Sequence, residues 1–477
     1  MNQLQFYALL PFSLLALASI IVILLIAFKR SHTVIQVTGF MMMCLVIFAM
    51  WYVRDMLPMR IDPLFIVDGY AALFTGLIVF AVLIIGLLSF IYFEEREENP
   101  KEYYILLFLS TLGAAILTIS QHFISFFIGL EILSVSLYAL IAYLRTRNNA
   151  IEAGMKYLVL AAMTSAFLLF GMALIYMETG SMTFSALARN LTATSSGLFI
   201  TGVGMMAVAI GFKLALVPFH LWAADVYQGA PVPVTAFIAT VSKIGVFSVL
   251  LRFGEAVSLQ TNSVVLTLFI VIAVITMLMG NILALLQQNI KRLLAYSSIA
   301  HLGYLLVAFL PGNAAGVEAS IFYLLAYSIT LLAAFGIITL LSSRQRDAED
   351  LEWYRGLFWR SPIMASILTI AFLSLAGIPL TAGFIGKFYV LIAGVEQSLW
   401  LPVIVLILTS VVGLYYYLRV ISLLFAETTP ALVNDRSLHP FFYTGTYTAL
   451  IILTVLLIGI GVYPSFVIEN IKAFLSI

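Results

Sequence analysis

Residues 71–93 read AALFTGLIVFAVLIIGLLSFIYF, and no position in this stretch carries a charged side chain. A run of about 20 apolar residues is long enough to cross the hydrocarbon core of a bilayer as an α-helix. The stretch therefore predicts a membrane-spanning helix, and it sets the standard against which the rest of the chain can be compared.

Similar runs occur along the whole chain. Of its 477 residues, 63% are hydrophobic and only 9% are charged, whereas about 25% of a soluble domain is charged. Lipid is the solvent that this composition fits, so we predict an all-α polytopic membrane protein. We expect about 14 transmembrane helices, at 5–28, 33–53, 71–93, 103–120, 122–144, 151–177, 197–222, 231–252, 263–286, 293–311, 317–342, 362–395, 400–424 and 443–467.

Charge and cysteine content exclude several functions. The formal net charge is +1, and the basic residues are dispersed, whereas binding to nucleic acid requires clustered positive charge. Cys44 is the single cysteine, which excludes an internal disulfide and a cysteine cluster for zinc or iron–sulfur ligation. We expect no metal site and no nucleic-acid partner.

The loops give an orientation. Cytoplasmic loops of membrane proteins are enriched in lysine and arginine. Loops after even-numbered spans contain five basic residues, which are Arg54, Arg60, Arg189, Arg252 and Lys472. We therefore place the loops that follow odd-numbered spans in the cytoplasm and both termini on the periplasmic side, with 6–28 as a retained span. The basic residues after odd-numbered spans are Lys29, Arg30, Arg96, Lys101, Arg145, Arg147, Lys291, Arg292, Arg344, Arg346, Arg355, Arg360, Arg419 and Arg436.

Four basic residues remain inside apolar runs: Lys156, Lys213, Lys243 and Lys387. Glu131 joins them in the segment SFFIGLEILSV. A lysine at the centre of a membrane helix costs about 2.5–3.5 kcal/mol on insertion scales, so intramembrane charges usually mark a path or a site. The alternative is snorkelling, in which a lysine near a helix end reaches water along its own stem. Both interpretations stay open for Lys156, whereas a proton path is favoured for the others.

Two of these lysines accompany interrupted helices. The segment GFKLALVPFHLW places Pro218 shortly after Lys213, and LAGIPLTAGFIGKFYV places Gly377 and Pro379 just before Lys387. Proline disrupts a helix interior, and discontinuous membrane helices with a polar residue are typical of transport sites. An ordinary proline kink is the alternative. We predict that helices 7 and 12 are broken at a proton-carrying site.

The positions of the two breaks suggest an internal repeat. Each lies in the fourth helix of a five-helix unit, and because five is odd the two units must be inverted relative to one another. We predict an N-terminal three-helix segment (1–102), a first five-helix repeat (103–254), a second repeat through helix 12 (255–398), and helices 13 and 14 (399–477), helix 13 completing the second repeat.

Two histidines are auxiliary candidates. His220 follows the first break, and His301 lies in YSSIAHLGY within the tenth span. Histidine titrates near neutral pH and can relay protons. Each could equally be a packing residue with a hydrogen bond.

Several segments resemble one known family. GFKLALVPFH (211–220) and LWAADVYQGAPVPVTAFIATVSKIGVF (221–247) look like the antiporter-like, proton-translocating subunits of respiratory complex I. NIKRLLAYSSIAHLGY (289–304) and SLAGIPLTAGFIGKFYVL (374–391) are similar to the subunit N family of bacterial NADH–quinone oxidoreductase. The resemblance extends nearly end to end.

The resemblance implies more than the residues alone do. It implies a membrane-arm subunit in the bacterial inner membrane, in contact with other antiporter-like and small connecting subunits. It implies no redox centre here, since NADH, FMN, iron–sulfur clusters and quinone belong to partner subunits. It places the family's essential acid on Glu131 and its lysines on Lys213, Lys243 and Lys387.

Two other functions stay open. An Mrp-type cation/proton antiporter subunit would share the same lysine helices, and a scaffold would need them only for assembly. Transport of sodium and the type of quinone are not determined by these residues.

Overall fold

A computed structural model of the chain describes residues 3–94, 96, 100–190, 196–257, 262–343, 346–427 and 440–476. Arg344 and Arg436, which entered the loop comparison above, lie outside these residues. The helices are α1 (Gln3–Ala8), α2 (Leu10–Ala27), α3 (His32–Val53), α4 (Gly69–Glu94), α5 (Lys101–Ile119), α6 (Phe123–Ile141), α7 (Asn148–Thr179), α8 (Phe184–Asn190), α9 (Gly197–Leu214), α10 (Trp222–Gly229), α11 (Val232–Phe237), α12 (Lys243–Val257), α13 (Ser263–Leu285), α14 (Ile290–Phe309), α15 (Ala314–Leu341), α16 (Leu357–Arg360), α17 (Pro362–Ala376), α18 (Ala382–Glu396), α19 (Trp400–Phe425), α20 (Pro440–Val462) and α21 (Ser465–Leu475).

The prediction of an all-α polytopic membrane protein is confirmed. Among the described residues, 13 helices are long and apolar enough to cross a membrane. The predicted twelfth span is missing from that number because it is divided into α17 and α18, each too short to qualify alone. The seventh span is also interrupted, between α9 and α10.

One feature outside the helices was not predicted. The connection between α3 and α4 contains a two-stranded antiparallel sheet, in which β1 (Met59–Ile61) pairs with β2 (Phe65–Val67). Met59 lies opposite Val67. Three-residue strands are too short to show the alternating pattern by which a strand is recognised in a sequence.

Burial divides the helices into a centre and a periphery. Over their most apolar windows, the eighth span (232–256) is 100% buried and α14 and α15 are each 89% buried. By contrast, α3, α7, α13 and α19 are each 39% buried. Their exposed leucine, isoleucine, valine and phenylalanine side chains suit contact with lipid. The candidate lysines Lys213, Lys243 and Lys387 are all buried inside the bundle.

Small residues allow the helices to approach closely. A Cβ atom on Gly280 of α13 would lie 2.6 Å from the backbone nitrogen of Ala300 in α14. A Cβ atom on Gly113 of α5 would lie similarly close to the backbone of Leu133 in α6. Small residues at helix interfaces are a general device for packing in membranes, where there is little hydrophobic force between helices. These contacts fix the helices that carry the polar side chains described next.

Candidate functional site

The first helix break surrounds Lys213. Helix α9 ends at Leu214, and Ala215 adopts a left-handed backbone conformation with φ of 58°. The Lys213 side chain is buried in the bundle. Its Nζ donates a hydrogen bond to Ser134 Oγ in α6 at 2.6 Å and a longer one to the Tyr157 hydroxyl in α7 at 3.4 Å. The lysine is thus held by two neutral oxygens.

Lys243 is bound to the backbone of the same break. Its Nζ donates to the carbonyl oxygen of Lys213 at 2.9 Å. In a continuous helix the Val217 amide would donate to the Lys213 carbonyl. Here it donates to Thr276 Oγ1 at 3.0 Å instead, which leaves that carbonyl available to Lys243. Lys243 itself directly follows a π-helical turn, Ile238–Ser242. Such turns are rare and occur frequently at functional sites.

Three aromatic side chains, Tyr157, Phe212 and Trp222, form what we call the aromatic cluster around the two lysines. The Trp222 ring lies 5.3 Å from Lys243 Nζ, and the Tyr157 ring lies 5.1 Å from Lys213 Nζ. The indole nitrogen of Trp222 donates to the Phe212 carbonyl at 2.9 Å. Aromatic faces attract cations, most strongly when both are removed from water.

The second break holds Lys387 in a similar way. Helix α17 ends at Ala376, and Gly377 follows with φ of 81°. Lys387 Nζ donates to the carbonyl of Ala376 at 2.9 Å and to Ser410 Oγ at 2.8 Å. The Tyr304 ring lies 5.3 Å from the same nitrogen.

The three buried lysines therefore share one chemical setting. Within the described ranges, no carboxylate lies within 4 Å of their ammonium groups. The lysine ion pairs there involve Lys156, Lys291 and Lys472 instead. Lys243 and Lys387 each contact the carboxyl end of a half-helix, where the helix dipole favours a cation. Neutral oxygens can accept from either protonation state of an amine, so the proton is not locked in place.

Glu131 is near Lys213 but does not pair with it. Its Oε1 accepts a hydrogen bond from Ser165 Oγ of α7 at 2.5 Å. Ser134, the acceptor for Lys213, lies three residues further along the same helix as Glu131, and residues at that spacing are neighbours on one helix face. Lys213 thus binds a residue that lies one helical turn from Glu131.

His301 is fixed by tyrosines in the second half of the chain. Its Nε2 lies 3.1 Å from the Tyr417 hydroxyl and its Nδ1 lies 2.7 Å from the Tyr323 hydroxyl. A small cavity beside the ring has room for about one water molecule. Its polar lining consists of His301, Tyr323, Tyr327, Thr330 and Ser374.

A series of hydroxyl groups connects the two halves of the chain. The Tyr227 hydroxyl of α10 lies 3.2 Å from Ser298 Oγ of α14, which accepts from the Tyr327 hydroxyl of α15 at 2.6 Å. Ser298 lies within the YSSIAHLGY motif quoted for His301, whereas no sequence pattern singled out Tyr327. Tyrosine is common in membrane proteins, and only the packing of α10, α14 and α15 aligns these three.

The other two auxiliary candidates occupy different settings. His220 is buried, and its Nδ1 has no hydrogen-bond partner among the described residues. The Lys156 side chain is 44% exposed and pairs with Glu152 at 2.7 Å and Asp225 at 2.8 Å. This geometry favours the snorkelling interpretation of Lys156. Asp225 also pairs with Arg292 at 2.8 Å, so it connects α7, α10 and α14.

A buried ionic cluster on the predicted cytoplasmic side was not anticipated. The Asp347 carboxylate accepts from Arg96 at 3.1 Å, Arg147 at 3.2 Å, Lys291 at 3.1 Å and the Tyr92 hydroxyl at 2.8 Å. Burial alone would raise the pKa of Asp347, but Lys291, Arg96, Arg147 and the Tyr92 hydroxyl hold it below its usual value. The cluster joins four segments that are distant in sequence.

Lys291 corrects the loop comparison. It was counted there as a loop residue, whereas its side chain is completely buried at the start of α14. Its Nζ donates to the carbonyls of Gln228 at 2.7 Å and Ala230 at 2.8 Å. Lys291 therefore fastens the carboxyl end of α10, the half-helix that carries Trp222. Its counter-ion, Asp347, is remote in sequence, so no local pattern reveals the burial.

Comparison with known proteins places this geometry in a family. Residues 120–413 match the family described as NADH:quinone oxidoreductase/Mrp antiporter, TM. NADH-quinone oxidoreductase subunit N of Ectopseudomonas mendocina (strain ymp) is 44% identical over 97% of this chain and 95% of its own length. The chain therefore belongs to the NADH:quinone oxidoreductase/Mrp antiporter transmembrane family.

Several solved structures have the same fold as this chain. A chain of respiratory complex I from Thermus thermophilus with bound aureothin superposes with a TM-score of 0.83 at 32% identity, covering 96% of this chain and 99% of that one. A chain of the archaeal membrane-bound sulfane sulfur reductase gives 0.86 at 27% identity, covering 98% and 96%. A chain of the Mrp complex from Dietzia sp. DQ12-45-1b gives 0.84 at 20% identity, covering 98% and 96%; this last match concerns the fold alone.

Proposed function

We propose that this chain is the proton-translocating subunit N of an NADH–quinone oxidoreductase, located in the membrane arm of that complex. The observation that carries the proposal is the setting of Lys213, Lys243 and Lys387. Each is buried, each is held by neutral oxygens, and each contacts a helix break or the backbone freed by one. A buried ammonium without a carboxylate can give up its proton without breaking an ion pair.

The residues take ordered roles in this proposal. Glu131 modulates Lys213, Lys243 is the central relay, and Lys387 delivers protons towards the periplasm. Lys213 and Lys243 are linked through the Lys213 carbonyl. The hydroxyl series joins α10 to α14 and α15, and His301 lies one helical turn from Ser298 in α14; these groups support a polar route between the two halves. His220 and Lys156 are auxiliary.

The same proposal covers organisation and partners. We propose two inverted five-helix repeats within 103–254 and 255–424, preceded by 1–102 and followed by helix 14. The glycine contact between α5 and α6 has a counterpart between α13 and α14, which supports the division. The chain is a multi-pass protein of the bacterial inner membrane, and we propose that both termini are periplasmic.

Redox chemistry is assigned to the partners. We propose that this chain holds no redox centre and that NADH, FMN, iron–sulfur clusters and quinone act in other subunits of the complex. Their energy would reach this chain through the neighbouring antiporter-like and small connecting subunits.

The experiment is proton uptake by inside-out membrane vesicles during NADH oxidation. A Lys213→Ala complex is expected to assemble, to oxidise NADH, and to take up fewer protons than the wild type. Lys472→Ala is the control, because Lys472 is 59% exposed and, among the described residues, pairs with Glu318 alone at 3.6 Å. Normal proton uptake by an assembled Lys213→Ala complex would remove the role of this lysine. Sodium-dependent exchange by the isolated chain would favour the Mrp-type alternative.

A further inference from the structure

The hydrogen bond between Ser165 and Glu131 connects two helices at the start of the lysine series. Glu131 lies in α6 and is partly buried, and Ser165 lies in α7. The serine hydroxyl donates to Oε1 of the carboxylate at 2.5 Å. In the part of the chain that the structure describes, this is the hydrogen bond that the Glu131 side chain makes. The carboxylate is therefore directed towards α7.

Lys213 binds a residue of the helix that carries Glu131. Its ammonium is bound to Ser134 at 2.6 Å, and Ser134 is one turn of helix away from Glu131. Neighbours at this spacing have Cβ atoms about 5–6 Å apart, so rotation of the Glu131 side chain can bring its carboxylate to the ammonium. In the observed position, the described residues show no ion pair between Glu131 and Lys213.

Other groups near the carboxylate do not hold it in the observed position. Tyr138 lies on the same helix as Glu131, and its ring lies 5.8 Å from the ring of Tyr157. Neither hydroxyl donates to the carboxylate among the described hydrogen bonds, and the Tyr157 hydroxyl is the second acceptor for Lys213. Ser165 is therefore the group whose removal would release Glu131.

We propose that Ser165 is a positioning residue that holds Glu131 apart from Lys213, so that the lysine keeps only neutral acceptors and can pass its proton to Lys243. The inference rests on the proposed function and adds a residue to it. A carboxylate beside a lysine favours the charged amine. When Glu131 is bound to Ser165, Lys213 is free to release its proton; when Glu131 turns to Lys213, the proton is retained.

The loss of the serine hydroxyl shifts this balance by a predictable amount. A hydrogen bond to a charged group changes an equilibrium by about tenfold or more. We expect Ser165→Val to populate the position in which Glu131 pairs with Lys213 and to slow NADH-driven proton uptake by about tenfold where release from Lys213 limits the rate. NADH oxidation by the peripheral subunits with an artificial acceptor should not change.

The test compares two variants of equal shape. Ser165→Val and Ser165→Thr differ only in the hydroxyl, so packing changes affect both. Thr164→Val is a neighbouring control, because Thr164 Oγ1 donates to the Ala161 carbonyl of its own helix at 2.9 Å. The assembled complex is studied in inside-out vesicles by proton uptake and by infrared difference spectra, with the Glu131 carboxyl band identified by its absence in Glu131→Gln.

The expected outcome is loss of proton uptake in Ser165→Val, near wild-type uptake in Ser165→Thr and Thr164→Val, and a Glu131 band that shifts only in Ser165→Val. In a Glu131→Gln background, Ser165→Val should have no additional effect. Equal uptake by the valine and threonine variants, or an additive effect in the double variant, would overturn the role of Ser165. Failure of the proposed function is distinguishable, since Lys213→Ala would then pump normally.

Discussion

Replacing Asp347 with asparagine is expected to weaken the bundle on its predicted cytoplasmic side. The side chains of Asp347 and Lys291 are 2% and 0% exposed, and the Arg96 side chain is 7% exposed. Asparagine keeps the shape of the side chain but removes its charge, which leaves three cations without their shared counter-ion. Removal of one partner from a buried ion pair costs about 3–5 kcal/mol. We expect a loss of unfolding free energy in this range at neutral pH.

The pH dependence follows from the same contacts. The pKa of Asp347 is lower in the folded chain than in the unfolded one, where it is about 3.9. The contribution of the cluster is therefore complete above that pH, and it is lost as the pH falls through the folded-state pKa. The wild type should lose its advantage over Asp347→Asn only in strong acid.

The assay is the temperature at which the assembled complex loses its native band on a gel after heating in membranes. Asp350→Asn is the matched control, because Asp350 is exposed and its side chain accepts from the backbone amide of Glu352 at 3.1 Å, with no ion pair to another described residue. We expect the midpoint temperature to be clearly lower than that of the wild type for Asp347→Asn and unchanged for Asp350→Asn. Identical midpoint temperatures for Asp347→Asn and the wild type would refute the view that this cluster stabilises the packing of α10 and α14.

Two further substitutions test the surroundings of the lysines. Trp222→Phe removes the indole hydrogen bond to the Phe212 carbonyl, which still accepts from the Ala215 amide at 3.0 Å, at a cost of about 0.5–1.5 kcal/mol; proton uptake per NADH should fall, whereas Trp359→Phe, at a 64% exposed position, should leave it unchanged. Lys156→Met removes two exposed ion pairs worth about 0–1 kcal/mol; uptake should stay within about twofold of wild type, and a loss as large as that of Lys213→Ala would instead assign Lys156 to the proton path.

The apolar runs determined most of the fold in advance. Long hydrophobic segments can satisfy their backbone in lipid only as helices, so the spans followed from composition. Pro218 and Gly377 indicated the two interrupted helices, because each disturbs the helical hydrogen-bond pattern. The β-hairpin was missed because its strands are only three residues long.

The hydrogen-bond partners of the lysines were harder to predict from the sequence. Burial of Lys213, Lys243 and Lys387 could be predicted because each lies inside an apolar run. The bond from Lys243 to the Lys213 carbonyl could not, because it depends on how α9 packs against α12 and on the π-helical turn before Lys243. Ser165 gave no signal, since serine is frequent in membrane helices.

Proton uptake per NADH oxidised by a Lys243→Met complex tests the central claim most directly. Methionine has nearly the length of lysine but no charge, and Lys243 is completely buried with its Nζ on the carbonyl that the first break frees. Lys472→Met, at an exposed ion pair, serves as the control. If the buried lysines carry protons, the ratio falls in Lys243→Met while NADH oxidation continues and the control keeps the wild-type ratio. An unchanged ratio in an assembled Lys243→Met complex would contradict the account.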